Sequence, residues 1–181
     1  MIRSFVALDL PDPAASALET WQAGLPAGRA VPPENLHLTL AFLGDRETAA
    51  LEDLHLALTR LRPQRFEVRL SGIDLFGGAG RAVVAAGVRT TAELTALHHA
   101  LGGAAHASGM VLERRRFRPH VTIARLPRGP GDGARGRLQA WISATATRPA
   151  IIFEAQSFSL YRSDLHPDGA RHTELARYPL G

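Results

Sequence analysis

Hydrophobic and polar residues alternate in two segments of this chain, residues 36–43 and 120–126. Successive side chains of a β-strand point to opposite faces, so this period of two predicts strands with one face in the core. In the first segment, the apolar face holds Leu36, Leu38, Leu40 and Phe42, and the other face holds His37, Thr39 and Ala41. In the second segment, His120, Thr122 and Ala124 lie opposite Val121 and Ile123. Each segment therefore predicts a strand whose polar face begins with a histidine.

Other segments have the patterns of helices and further strands. Leucines repeat at helical spacing within residues 47–61, and we predict further helices at 91–107 and 136–145. Another helix is predicted to begin at Pro11-Asp12-Pro13, with Asp12 as its N-cap, and to run to about residue 25. Strands are predicted at 2–10, 66–76, 81–88, 150–161 and 172–178, and Gly77-Gly78-Ala79-Gly80 reads as a hairpin turn rather than a nucleotide-binding loop, because no Gly-Lys-Ser/Thr follows it.

The order of these elements is similar in the two halves of the chain, a strand and a helix followed by further strands. This order predicts an α+β fold of two pseudo-symmetric lobes, each an antiparallel sheet with helices outside. The two histidine strands are expected to face each other across a central cleft. With 181 residues, 45% of them hydrophobic, the chain is expected to form a single bilobal domain over residues 1–181.

Composition excludes several classes of protein. No segment reaches the roughly 18 uninterrupted apolar residues of a membrane span, and the start of the chain lacks the apolar region of a signal peptide, so we expect a cytoplasmic protein that does not bind membranes. The sequence does not determine an oligomeric state, and a monomer is our expectation. Cysteine and lysine are both absent, which excludes thiolate nucleophiles, Schiff-base chemistry and the lysine adduct of ordinary nucleic-acid ligases.

Arginine supplies all 21 basic side chains, and the net charge is +4. Several arginines flank the second histidine segment, namely Arg114, Arg115, Arg116, Arg118, Arg125 and Arg128. The planar guanidinium matches the oxygens of a phosphate group, so this cluster favours a phosphate-containing ligand.

The tetrapeptides His37-Leu38-Thr39-Leu40 and His120-Val121-Thr122-Ile123 are the candidate catalytic motifs. A histidine inside an otherwise apolar strand must be hydrogen-bonded or exposed in a cleft. The unperturbed pKa of imidazole is about 6.5, so paired histidines are suited to give and take protons near neutral pH. No His-Glu-x-x-His or comparable spacing of metal ligands occurs, and we expect neither a metal nor another cofactor.

The chain resembles the 2H phosphoesterases, which are named for two such motifs, and within them the RNA 2′,3′-cyclic phosphodiesterase branch, formerly called 2′-5′ RNA ligases. The resemblance lies in residues 3–8, 33–44 and 117–125 and in the segment after Leu160-Tyr161-Arg162-Ser163, so it covers essentially the whole chain. His172 is a departure, because members of this branch often have a tyrosine there.

The resemblance implies metal-independent hydrolysis of a 2′,3′-cyclic phosphate on RNA or on a small cyclic-phosphate nucleotide, which leaves a 2′-phosphate. It also implies that His37 is the proton donor and His120 the proton acceptor, which the sequence alone does not distinguish. Thr39 and Thr122 are expected to bind the phosphate oxygens. Of the arginines, resemblance favours Arg125, whereas strand alternation places Arg118 on the face of His120 and Arg125 on the opposite face unless the strand bulges.

Phe5, Phe42 and Tyr161 are candidates for contact with an RNA base. We keep Tyr161 among the substrate-binding residues and expect Phe5 and Phe42 to pack in the core. Two other functions remain open. The same cleft could join RNA ends as a 2′-5′ RNA ligase, with an RNA hydroxyl in place of water. It could also bind RNA ends without catalysis, although the presence of both complete motifs argues against that.

Overall fold

The computed structural model describes residues 1–77, 82–113, 116–127, 132–167 and 169–181. Most of the predicted turn at 77–80 and the side chains of Arg114, Arg115 and Arg128 therefore lie outside the described residues.

Four α-helices, one short 3-10 helix and nine strands are formed by the described part of the chain. The helices are α1 (Asp12–Gln22), α2 (Thr48–Leu58), α3 (Ala92–Ala107) and α4 (Asp132–Thr145), and the 3-10 helix is Pro33–Asn35. The strands are β1 (Ile2–Asp9), β2 (Arg29–Ala30), β3 (His37–Arg46), β4 (Phe66–Phe76), β5 (Val83–Val88), β6 (His120–Arg125), β7 (Ile151–Ala155), β8 (Ser157–His166) and β9 (Gly169–Pro179).

The strands form one curled antiparallel sheet in the order β7-β4-β5-β6-β3-β1-β8-β9, with β2 paired to β6. The predicted α+β class is confirmed. The arrangement of the histidine strands differs from the expected one: β3 and β6 are neighbours, registered through Leu38 and Val121, rather than members of two separate facing sheets. The side chains of Leu38 and Val121 are fully buried, so burial in one shared core favours direct pairing of β3 with β6.

The two halves of the sheet are not the two halves of the chain. One half holds β4, β5, β6 and β7, and the other holds β1, β3, β8 and β9. The segment predicted as one strand at 150–161 is in fact two strands separated at Gln156, of which β7 pairs with β4 and β8 pairs with β1. The chain therefore crosses from one half to the other at this point.

The helices cover the face of the sheet that carries Leu38 and Val121. Helices α1 and α4 pack against the half with β4, β6 and β7, and α3 packs against α2 and β3. Their leucines join the strand residues in one continuous hydrophobic cluster. Burial of this cluster stabilises the fold and leaves the opposite face of the sheet free for the histidines.

Two local features concern the helices. The N-cap of α1 is Pro11, so the prediction of Asp12 as the cap is wrong by one residue, and Asp12 instead opens the first turn. At α3 the Thr91 side chain accepts a hydrogen bond of 3.2 Å from the backbone N–H of Leu94, which satisfies one free donor of the helix start. None of the helices in the described residues is long and apolar enough to cross a membrane.

Candidate active site

A β-bulge follows the histidine and threonine of the first motif. Between β1 and β3, Ala7 pairs with Thr39 but Val6 pairs with Ala41, so Leu40 is an additional residue on β3. An additional residue reverses the alternation of side chains beyond it. Phe42, five residues after His37, is thereby returned to the face of the histidine.

The second motif has the same bulge at the same place. Between β5 and β6, Ala85 pairs with Thr122 and Val84 pairs with Ala124, so Ile123 is the additional residue. Arg125, five residues after the histidine, therefore shares the face of His120 and Thr122, contrary to simple strand alternation.

Exposure agrees with this change of face. The Phe42 side chain is 50% exposed, and Ala41 and Ala124 are buried. The predictions that Phe42 packs in the core and that the two alanines lie on the histidine face are therefore wrong. Arg125 is exposed beside the histidines.

Each of the two motif histidines is hydrogen-bonded to the backbone carbonyl of the residue two positions earlier. The Nδ1 atom of His37 lies 2.8 Å from the carbonyl oxygen of Asn35, and that of His120 lies 2.8 Å from the carbonyl oxygen of Arg118. A carbonyl only accepts, so each Nδ1 carries the proton that it donates. The Nε2 atom of each neutral ring is then left with a lone pair, as proton transfer requires.

A phenylalanine stacks on each of these imidazoles. Phe5 lies 4.7 Å from His37 between ring centroids at 28°, and Phe76 lies 4.5 Å from His120 at 22°. Phe5 is 4% exposed, so its predicted burial is confirmed, but one of its faces packs on His37. Stacking restricts rotation of both imidazoles, which keeps Nε2 in a fixed direction.

The pairing of Leu38 with Val121 brings the two motifs together. In an antiparallel ladder of this register, His37 lies opposite Thr122 and Thr39 lies opposite His120. The two histidines are then diagonal neighbours, and residues in such positions are roughly 7–8 Å apart, with their Cβ atoms somewhat closer. The register therefore brings both imidazoles to neighbouring positions on one face of the sheet.

Burial lowers the pKa of His37 from 6.5 to about 4. The hydrogen bond to Asn35 opposes this shift, and the positive charges of His172, Arg125 and His120 add to it. His37 is therefore neutral near pH 7 in the unliganded protein. The contribution of Arg125 to this shift agrees with its position on the histidine face.

The two candidate arginines occupy different sides of the site. Arg125 acts electrostatically on His37 and His172. The guanidinium carbon of Arg118 lies 4.8 Å from the centroid of Phe76, the ring that stacks on His120. The charge of Arg125 thus affects the first histidine, and the guanidinium of Arg118 packs on the ring that stacks on the second.

Tyr161 lies behind His37. Its ring stacks on Phe5 with a centroid distance of 5.3 Å, and its hydroxyl donates a hydrogen bond of 2.5 Å to Asp9. Burial and this carboxylate raise the pKa of Tyr161 far above its usual value. Ser157 and Ser159 also donate to Asp9, so the carboxylate is the centre of a polar network.

A family model described as the 2′-5′ RNA ligase superfamily matches residues 10–167. The chain belongs to this superfamily. The resemblance drawn from the two motifs is thereby confirmed.

Members of the superfamily match along nearly the whole chain. A protein of Escherichia coli (strain K12) named RNA 2′,3′-cyclic phosphodiesterase is 32% identical, over 98% of this chain and 96% of that protein. A Geobacillus stearothermophilus protein of the same name is 28% identical over 97% of this chain, and the chain spans 56% of the length of that relative. The crystal structure of E. coli LigT complexed with 3′-AMP matches with a TM-score of 0.79 and 29% identity, over 99% of this chain and 98% of that one.

Two site residues were not found by sequence reasoning. Asp9 is paired with His37 across β1 and β3, but in the sequence it is only a polar residue at the end of an apolar strand. His172 was identified only as a departure from the superfamily branch. Its ring lies 4.9 Å from Phe5 at 78° and 5.3 Å from His37 at 89°, edge to face in both cases.

Within the described residues, no three side chains of His, Cys, Asp or Glu are grouped so that they could hold a metal ion.

Proposed function

We propose that this chain hydrolyses the 2′,3′-cyclic phosphate at an RNA end to a 2′-phosphomonoester, with two histidines transferring the protons and no metal. The observation that carries the proposal is the pair of imidazoles on one face, each holding its Nδ1 proton on a carbonyl and leaving Nε2 for substrate. The names of the E. coli and Geobacillus relatives support the reaction, and the complex of LigT with 3′-AMP supports a nucleotide ligand.

Opening of the cyclic phosphate requires proton transfer on both sides of the phosphorus. As the oxygen of water forms its bond to phosphorus, the proton of that water passes to one imidazole. As the bond from phosphorus to O3′ breaks, the other imidazole protonates O3′. Over the whole reaction one water is consumed. The pair of imidazoles gains one proton from that water and loses one to O3′, so two imidazoles on opposite sides of the phosphate are sufficient.

We assign His37 as the proton donor and His120 as the acceptor, as the resemblance implies. The low pKa of His37 means that the free protein does not carry the donor proton near pH 7. A bound phosphate places negative charge beside His37, which raises its pKa and offsets the repulsion from Arg125. In this mechanism the donor proton is therefore taken up when substrate binds.

Arg125, Thr39 and Thr122 are assigned to the non-bridging phosphate oxygens. All three lie on the face of the histidines, Arg125 because of the bulge at Ile123. Hydrogen bonds from these groups stabilise the charge that develops on the phosphate. Arg118, next to Phe76, is assigned to the phosphate backbone at the edge of the site.

The RNA base is assigned to the neighbourhood of Phe42. Phe42 is the cross-strand neighbour of Phe5, its side chain is half exposed, and the guanidinium carbon of Arg3 lies 4.6 Å from the centroid of its ring. Exposed aromatic rings and arginine planes are common stacking surfaces for bases of single-stranded RNA. Tyr161 lines the same region with a partly exposed ring and supports Phe5.

Ligation is the second candidate reaction, because the matching family model is described as the 2′-5′ RNA ligase superfamily. The same imidazoles would activate a 5′-hydroxyl of RNA in place of water. The absence of lysine excludes a lysine-nucleotide intermediate. A cytoplasmic location and a monomeric state remain our predictions.

The test is incubation of the purified protein with an oligonucleotide ending in a 2′,3′-cyclic phosphate, in EDTA, followed by identification of the terminal phosphate. We expect a 2′-phosphate, and we expect it to form at least about 10²-fold more slowly with His37→Ala or His120→Ala. His106→Ala is the matched control, since this exposed histidine lies in α3, one of the helices packed on the other side of the sheet. No turnover by the wild-type protein contradicts hydrolysis, and a 2′-5′ linked product with a 5′-hydroxyl RNA supports ligation.

A further inference from the structure

A third histidine belongs to the candidate site. His172 on β9 makes edge-to-face contacts with His37 and with Phe5, the ring that stacks on His37. His37 and His120 already supply the acid and the base of the reaction proposed above, so His172 is a third imidazole that proton transfer does not require.

The position of His172 is fixed together with that of His37. The side-chain amide of Asn35 donates a hydrogen bond of 2.8 Å to the carbonyl of Ala170, two residues before His172. The backbone carbonyl of the same Asn35 accepts the Nδ1 proton of His37. Asn35 thus links the backbone beside His172 to the imidazole of His37.

The hydrogen bonding of His172 differs from that of the other two histidines. Its Nδ1 atom is buried and has no hydrogen-bond partner among the described residues, whereas the Nδ1 atoms of His37 and His120 donate to carbonyls. A neutral imidazole carries one N–H and one lone pair. A buried N–H without an acceptor is costly, so the proton of His172 belongs on Nε2. His172 therefore offers an N–H donor where the other two offer a lone pair.

Arg125 and His172 both belong to the surroundings of His37. Arg125 shares the histidine face because of the bulge at Ile123, His172 contacts the ring of His37, and the charge of Arg125 contributes to the lowered pKa of both histidines. Resting on the function proposed above, we propose that His172 binds substrate by donating a hydrogen bond from Nε2 to a non-bridging oxygen of the phosphate, and that it takes no part in proton transfer. This arrangement adds a neutral donor to the phosphate site without adding a third acid.

Two variants separate this hydrogen bond from simple packing. His172→Phe keeps the ring and its edge-to-face contacts but removes the donor. His172→Gln removes the ring and retains an N–H at about the position of Nε2. Hydrogen bonds to charged groups contribute about 1.5–3 kcal/mol, so we expect His172→Phe to lower kcat/KM at least about tenfold. The inhibition constant for inorganic phosphate should rise by a similar factor, and His172→Gln should stay within about threefold of the wild-type protein on both measures.

The outcomes are distinct. Wild-type values for His172→Phe would overturn the inference, and so would equal losses in both variants, because the imidazole would then serve only as packing. Loss of one limb of the pH profile of kcat in His172→Phe would also overturn it, because the residue would then transfer protons; a shift of the limb that belongs to His37 would not, because the charge of His172 contributes to the pKa of His37. Thermal unfolding of both variants serves as the control for folding.

A spectroscopic test does not depend on turnover. Nitrogen-15 shifts of the histidine rings should show the Nε2–H form for His172 and the Nδ1–H form for His37, and inorganic phosphate should move the Nε2 resonance of His172. If the wild-type protein has no activity but phosphate moves this resonance, the proposed reaction fails and the phosphate contact stands. If the wild-type protein is active and the resonance does not respond, the inference fails alone.

Discussion

Leu40 and Ile123 are equivalent residues: each is the additional residue of a β-bulge three positions after a motif histidine, and each is buried in the core. The bulge allows two consecutive residues, the aliphatic and the following alanine, to be buried on the same strand. It also turns the next side chain toward the histidine. In one motif that side chain is Phe42 and in the other it is Arg125, so one backbone device supplies the site with an aromatic ring and a cation.

The first prediction concerns the two arginines. Arg125 lies on the histidine face and acts electrostatically on His37, whereas Arg118 packs over Phe76. We expect Arg125→Gln to lower kcat/KM by about 10² and Arg118→Gln by less than about tenfold, measured with a short RNA ending in a cyclic phosphate. A larger loss in the Arg118 variant would show that the assignment is reversed.

The second prediction concerns the proton-transfer groups. His37→Ala and His120→Ala should each lower kcat at least about 10²-fold, the usual effect of losing a general acid or base. Thr39→Val and Thr122→Val should lose less, because each removes one hydroxyl and keeps the shape of the strand. Circular dichroism and thermal unfolding provide the control for folding, and full activity in either histidine variant would refute its role.

The third prediction is a pH effect on stability from His37. Its folded-state pKa of about 4 is below the value near 6.5 of an unfolded histidine, so the unfolded chain binds this proton first as the pH falls. This difference in pKa contributes up to about 3 kcal/mol to the free energy of unfolding. The contribution is complete above about pH 6.5 and is lost as the pH falls to about 4. The free energy of unfolding, measured in urea, should therefore differ between the wild-type protein and His37→Gln by an amount that decreases in acid. A difference that does not change with pH would contradict the burial of this imidazole.

The fourth prediction concerns the two tyrosines of the chain. Burial and the carboxylate of Asp9 raise the pKa of Tyr161, and burial raises that of Tyr178 to about 12. Both groups stabilise the protein below about pH 10, and this contribution is lost at higher pH as the folded tyrosines ionise. Phenolate absorbance should therefore not rise near pH 10 while the protein remains folded. Tyr161→Phe should leave a single transition near pH 12.

The fifth prediction concerns Phe42. Because its ring is half exposed, Phe42→Leu should change the free energy of unfolding little. Stacking of a base on an aromatic ring contributes about 1–3 kcal/mol, so the variant should raise KM for an RNA several-fold or more. A ribose 2′,3′-cyclic phosphate without a base serves as the matched substrate, for which KM should stay the same. Equal effects on both substrates would place the base elsewhere.

The sequence was sufficient for the features that depend on local pattern. The hairpin strand at residues 66–76 and the helix that follows Thr91 lie where hydrophobic periodicity placed them. The paired motifs and their flanking residues led to the correct superfamily. These features depend on residues close together in the chain, which is why the pattern contains them.

Features that depend on distant partners could not be obtained in this way. A bulge exists only relative to a partner strand, so the alternation rule placed Arg125 and Phe42 on the wrong faces. The break at Gln156 was missed because β7 and β8 pair with different strands, and the apolar pattern continues across the break. Asp9 and His172 enter the site through β1 and β9, far from either motif in the sequence.

The exchange of strands between the two halves has a consequence for how the protein is made. Phe5 and His37 lie in early strands, but Tyr161 and His172 come from β8 and β9, the last strands along the chain. Pairing of β1 with β8 closes a very long loop, the kind of contact that forms slowly during folding. During synthesis, the surroundings of His37 therefore remain incomplete until β8 and β9 have left the ribosome, even after both histidine motifs have emerged.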